Sequence, residues 1–154
     1  MFQIGDRIVY PMHGAGVIEA IEEKEILGQK KSYFVINLNN MRLMFPMESN
    51  LGIRQVVDSN ILEDVLNLFQ EESDPIPNPA LRSRMYMNKI KSGNIYEGVQ
   101  VIRDLIRMGK KRTLATGDKM MLDNAKQIFI SELMLVKGIA QEQAVHLLNE
   151  AIHP

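Results

Sequence analysis

The 154-residue chain contains no cysteine. Disulfides and thiolate metal sites are thereby excluded, and a reducing, cytoplasmic setting is expected. Its three histidines, His13, His146 and His153, are too few and too scattered for a zinc site built on imidazole, so no metal and no other cofactor is expected. There is no apolar run of about 18 residues, the length a membrane-spanning helix needs. The first residues, Met1 to Asp6, lack the basic-then-apolar pattern of a signal peptide. Low-complexity tracts and internal repeats are missing too. So are the GxSxG, P-loop and HExxH motifs and any recognisable arrangement of nucleophile with general acid and base. The expectation is a binding protein and not an enzyme.

What the chain does have is ordinary globular composition, 45% hydrophobic and 24% charged, and a split in charge. The net charge is −1, yet residues 1–74 sum to −6 and residues 75–154 to +5. The basic excess peaks between residues 82 and 126, with 11 Lys/Arg against 4 Asp/Glu. A sign split of this kind suggests two units with different partners, although a solvated helix surface accounts for a charge run equally well.

The first fifty residues read as short strands. Arg7–Tyr10 is β-branched and aromatic and is closed by Pro11. Gly14–Gly16 permits a tight bend. Residues 17–22, 32–38 and 41–46 form further strands, with turns expected at Gly28–Lys31 and at Asn39–Asn40. Closely spaced strands with no helical period between them predict a small SH3- or Tudor-like β-barrel at 1–53. From residue 58 the period changes. Asp58 or Ser59 can cap a helix through Ile61, Leu62, Val65, Leu66 and Phe69. Three prolines, at 75, 77 and 79, then force a loop or hinge. Helices are expected from about 80 to 91, from a capping box at Asn94 and Glu97 to a C-cap at Gly109, from about 116 to 137, and from about 141 to 152. An all-α unit at 59–154 completes an α+β protein divided by domains.

The acidic group Glu22, Glu23 and Glu25 reads as a solvated strand edge. His13 reads as part of a bend. Met41, Met44 and Met47 suit core gaps or an adaptable binding surface. Arg82, Arg84, Lys89 and Lys91, with Lys110–Arg112, Lys119 and Lys126, form a phosphate-binding surface if the helices bring them together.

The stretch Phe2–Ile21, with its pattern G-D-x-x-V-Y-P-x-H-G-x-G, strongly resembles the start of CarD/CdnL proteins and the polymerase-interacting module of transcription-repair coupling factor. Val101–Leu105 and Lys119–Ala125 resemble the helical-domain signatures of the same family. The resemblance covers the whole chain, and the helicase motors of the coupling factor are absent. It implies a cytoplasmic transcription regulator whose barrel docks on the lobe of the RNA polymerase β subunit by strand addition. Its helical domain would sit in the minor groove of promoter DNA at the upstream edge of the bubble.

By resemblance, Lys24 takes the place of a polymerase-facing arginine, Ile26 follows on the same strand, and Met44 stands where some relatives have a second arginine. Arg84 and Lys119 match DNA-contacting basic positions, with Arg82 beside them. Many relatives carry a wedge tryptophan, and this chain has none. Pro79 or Leu81 takes its place, depending on register; Leu-x-x-Arg-Met-x-x-Asn preserves the helical spacing and favours Leu81. The other reading is a polymerase-docking protein with little DNA affinity.

Overall fold

A computed structural model describes residues 2–38, 40–48 and 52–154. Five antiparallel strands are followed by five α-helices. The strands are β1 (Arg7–Tyr10), β2 (Gly14–Ile26), β3 (Gln29–Leu38), β4 (Met41–Pro46) and β5 (Arg54–Gln55). The helices are α1 (Ser59–Asn67), α2 (Pro79–Lys91), α3 (Ile95–Lys111), α4 (Thr116–Lys137) and α5 (Gln141–Ile152), with a 3-10 turn at Leu68–Gln70 after α1.

The sheet order is β4-β3-β2-β1-β5. Among the described residues β4 and β5 do not pair, so the sheet is open where a closed barrel was expected. β5 is only two residues long and spends its hydrogen bonds on β1, pairing Arg54 with Val9 and Gln55 with Ile8. The sheet therefore runs just past the expected boundary at residue 53. The expected turn at Asn39–Asn40 includes Asn39, which lies outside the described residues; Asn40 has a φ of 65°.

β2 and β3 are longer than their apolar residues suggested. The turn between them falls at Leu27–Gly28, earlier than expected, and Gln29–Lys31 belong to β3. Leu27 and Gly28 both have positive φ, 53° and 78°, and Ile26 pairs with Gln29. This is the two-residue turn whose twist matches that of the strands it joins. Charged residues on both faces of the outer part of the hairpin hid its strand character from the apolar pattern. At Glu19 a bulge shifts the register, so that Ile18 opposes Ile36 while Ala20 opposes Val35.

One face of the sheet holds a core of its own: Ile8, Ile18, Phe34, Ile36, Leu38 and Phe45 are all buried. The helices enclose a second core around Leu62, Val99, Ile102, Leu105, Phe129 and Leu148. Caps set the helix starts. The Asp58 carboxylate accepts from the Ile61 amide, and the Asn78 side chain accepts from Leu81 N, each at 2.9 Å. Asn94 caps α3 by accepting from Tyr96 N and Glu97 N. Glu97 accepts instead from Ser92 Oγ, so the box is closed through the serine. Gly109, expected as a C-cap, lies inside α3, where its missing side chain leaves room for Leu114.

Candidate functional site

Strand register decides which side chains of the sheet share a face, because successive residues point to opposite sides. Ala20, Val35 and Met44 are opposed in one cross-strand row. Glu22, Tyr33 and Pro46 form the next row on that face, then Lys24 with Lys31, then Ile26 with Gln29. Lys24, Ile26 and Met44 therefore lie on one face, opposite to the Phe34 core. Lys24 and Ile26 are exposed and Met44 is half-buried. β1 ends its pairing with β2 at Val17. Beyond the bulge β2 pairs only with β3, which leaves its other edge open. The outer side of β4 is a second unpaired edge among the described residues.

Several apolar side chains of the sheet reach solvent. Ile21, Ile26 and Met41 are all exposed, and Leu27 at the tip is 99% exposed. Leu27 escaped the sequence reading because the turn was expected one residue later. An apolar residue adjoining a Gly is a cue for such a tip. Arg42 is held by Glu22 and Glu19 at 3.3 and 3.7 Å, so the cation next to Met44 is neutralised on the surface.

In the helical half the basic residues separate into two kinds. Arg82 is buried, and its guanidinium donates to both oxygens of Asp118 at 3.2 and 2.9 Å. It joins the first turn of α2 to the first turn of α4 and is not part of the exposed basic surface expected of it. Arg103 is buried with Asp104, donating from Nε at 2.9 Å. Arg107 donates to Ser73 Oγ and to the Phe69 carbonyl, and Lys89 to Gln100. By contrast Arg84, Lys91, Lys110, Lys111, Lys119 and Lys126 have no carboxylate partner among the described residues.

Arg84 lies on the outer face of α2 between Leu81 and Met85, which are i and i+4 neighbours 37% and 40% exposed. The inner face of the same helix carries Arg82, Tyr86 and Ile90. Leu81 thus sits outside the core, in the first turn. Pro79 is also exposed, at the position where a proline costs the helix no hydrogen bond. Met85 is likewise outside the core. Lys119 is exposed one residue beyond Asp118 on α4. Burial, and next the negative charge of Asp104, push the Tyr86 phenol above its ordinary pKa of 10.0, opposed by Arg82.

Residues 2–57 match the CarD-like/TRCF RID domain family, and residues 64–149 match the CarD, C-terminal domain family. The chain belongs to the CarD/CdnL family. It is 49% identical over 148 residues to the Bacillus subtilis (strain 168) protein named "Putative transcription factor YdeB", a match covering 93% of this chain and 97% of that protein. Both halves of the CarD/CdnL plan are therefore present in one chain and in the expected order. This CarD/CdnL chain has no tryptophan and presents Leu81, Arg84 and Met85 on the outer face of α2.

Among the described residues no group of three or more His, Cys, Asp or Glu is placed to hold a metal ion, and no helix is long and apolar enough to cross a membrane.

Proposed function

We propose that this protein is a cytoplasmic regulator of transcription initiation. Its sheet unit, residues 1–53 with β5, docks on the lobe of the RNA polymerase β subunit. Its helical unit, 59–154, meets promoter DNA at the upstream edge of the bubble. Docking uses the face that carries Lys24, Ile26 and Met44, with an unpaired strand edge supplying backbone hydrogen bonds. On the DNA side Arg84 and Lys119 hold phosphates while Leu81 presses into the minor groove at a base step already distorted by melting. No bond is made or broken. A protein that binds the melted promoter better than the closed one shifts the balance toward it, by tenfold for each differential of about 1.4 kcal/mol.

The observation that carries this reading is the outer face of α2. Two apolar side chains and an arginine with no carboxylate partner among the described residues stand together in solvent on a helix whose other face is buried. The test is the lifetime of the open complex formed by purified polymerase, with and without the protein. A changed lifetime that reverts with Arg84→Glu supports the reading; an unchanged lifetime at saturating protein overturns it. A second reading, docking with little DNA affinity, is favoured by the burial of Arg82 and Arg103 in internal pairs. It predicts no salt-dependent retardation of promoter DNA.

A further inference from the structure

The sheet and the helical domain meet along one side of α4. Asn124, Ile128, Ser131, Glu132 and Leu135 recur at the spacing of a single helix face. Asn124, Ser131, Glu132 and Leu135 bond across the junction, and Ile128 accepts from Ser131 within α4. Asn124 Nδ2 donates to the Met12 carbonyl at 3.3 Å, and Arg7 donates to the Leu135 carbonyl at 2.6 Å. Ser131 Oγ accepts from Ala15 N at 2.8 Å and donates to the Ile128 carbonyl at 2.6 Å. Gly14 has a φ of 116°, and a Cβ there would lie 2.8 Å from Ser131 Oγ. The glycine-rich segment of the N-terminal motif is therefore the seat of α4.

The centre of this junction is a fork. Arg54, on the last strand of the sheet, donates from Nη1 and Nη2 to the two oxygens of Glu132, both at 2.7 Å. Its Nε donates to the Gly93 carbonyl in the turn between α2 and α3 at 2.5 Å. Glu132 is 1% exposed and takes a further hydrogen bond from Val57 N at 2.9 Å. One arginine thus ties the sheet to α4 and to the end of α2, the helix whose outer face carries Leu81 and Arg84. A planar bidentate pair fixes orientation as well as distance, unlike a lysine contact.

We infer that Arg54 and Glu132 are positioning residues which set the angle between the docking face and α2, and that the effect on the open complex depends on this angle. The inference rests on the function proposed above. Two contacts on one assembly reinforce each other only when the link between them lets both form at once, and a link already held in the bound geometry loses less entropy on binding. Neither residue lies on the proposed docking face or on the outer face of α2: Glu132 is buried and Arg54 is turned into the junction. Each acts through the elements it joins.

Arg54→Lys keeps the charge and removes the fork. Glu132→Gln keeps the shape and one acceptor and removes the charge. The absence of cysteine allows one label pair, introduced by Gln29→Cys and Asn149→Cys, to report the angle in the full-length protein by electron-spin distance measurement. The parent should give one narrow distance, and both variants a broadened one. With unlabelled proteins, both variants should bind the isolated β lobe and duplex DNA at parental strength, yet lose most of the parental change in open-complex lifetime. If Glu132→Gln does not fold, Arg54→Lys carries the test, since Arg54 is partly exposed.

Two outcomes overturn the inference: a distance that stays narrow in the variants, or a broadened distance with the full lifetime effect retained. If the parent itself leaves the lifetime unchanged, the proposed function fails. The distance measurement still decides, on the free protein, whether the fork sets the angle.

Discussion

The two halves of the molecule treat charge in opposite ways. In the sheet no charged side chain among the described residues is buried, and the ion pairs of Arg42 and Lys30 lie on its surface. In the helical half Arg82, Arg103, Asp104, Asp118 and Glu132 are all buried. Apolar side chains reach solvent in both halves, Leu27 of the sheet at 99% and Met120 of α4 at 67% exposure. A charge count along the sequence therefore means different things in the two halves. Around the sheet it describes the surface. Among the helices it mixes an exposed basic surface with internal ties, so the 11 basic residues at 82–126 overstate the cations that reach solvent, although the buried pairs, each with its own carboxylate, leave the net excess unchanged.

The sharpest way to break this comparison is to remove one partner from each kind of pair. Arg82→Met strands the Asp118 carboxylate in the interior and should cost about 3–5 kcal/mol of stability in chemical denaturation. Arg42→Met at the surface should cost about 1 kcal/mol or less. Equal costs would remove the distinction.

Docking should be the next largest effect. Lys24→Glu combined with Ile26→Asp should greatly weaken pull-down of the β lobe while thermal stability barely moves, because both side chains are already exposed. Wild-type pull-down by that double variant would remove this face from consideration.

On the DNA side, reversing Arg84 and Lys119 to Glu should lower affinity similarly on unrelated sequences. It should also flatten the logarithmic salt dependence by about 0.9 for each phosphate that is no longer neutralised. A slope unchanged by both reversals counts against these two positions. Leu81→Trp should lengthen the open complex and Leu81→Ala shorten it. With Leu81 at 37% exposure, the alanine variant should lose less than the about 2–5 kcal/mol typical of a core leucine. A core-sized loss with normal open complexes would return Leu81 to a packing role.

The smallest effect concerns Tyr86. Its phenol titrates higher in the folded protein than in the unfolded chain, chiefly because it is buried. Above the unfolded value of 10.0 the unfolded chain binds fewer protons than the native one, so stability falls as pH rises and continues to fall through the native pKa. Tyr86→Phe should remove that part of the alkaline loss, measured as unfolding midpoints at neutral and high pH. An identical alkaline slope in the variant would show that another group governs it.

Helix placement was largely legible in the sequence, because capping residues and a 3.6-residue apolar period act locally. Asp58, Asn94 and Gly138 mark ends that the structure retains. Strand extent was less legible. The outer hairpin is solvated on both faces, so no alternation of apolar and polar residues marks Glu22–Ile26 or Gln29–Ser32 as paired. Sheet closure depends on contacts between residues far apart in sequence, and β5 is too short to leave a pattern. For the candidate site, the type of residue was readable and its direction was not. Arg82 and Arg84 are two positions apart, which places them on different sides of a helix, but only packing decides which side is buried. Glu132 did leave a signal. It occupies the apolar stripe of α4 between Phe129 and Val136, and a carboxylate there requires a buried cation.

The fit of Gly14 against Ser131 bears on inheritance. The N-terminal module matches a domain family described as CarD-like/TRCF RID, separate from the family that matches the helices, so it invites exchange between parents. In this chain a methyl group at position 14 would collide with α4, and the Ala15 amide would lose its acceptor if position 131 became alanine. A chimaera that takes its sheet from one relative and its helices from another should inherit a working junction only when these positions come as a matched set. Crossovers within the segment that follows β5 are then decided by a serine more than seventy residues downstream.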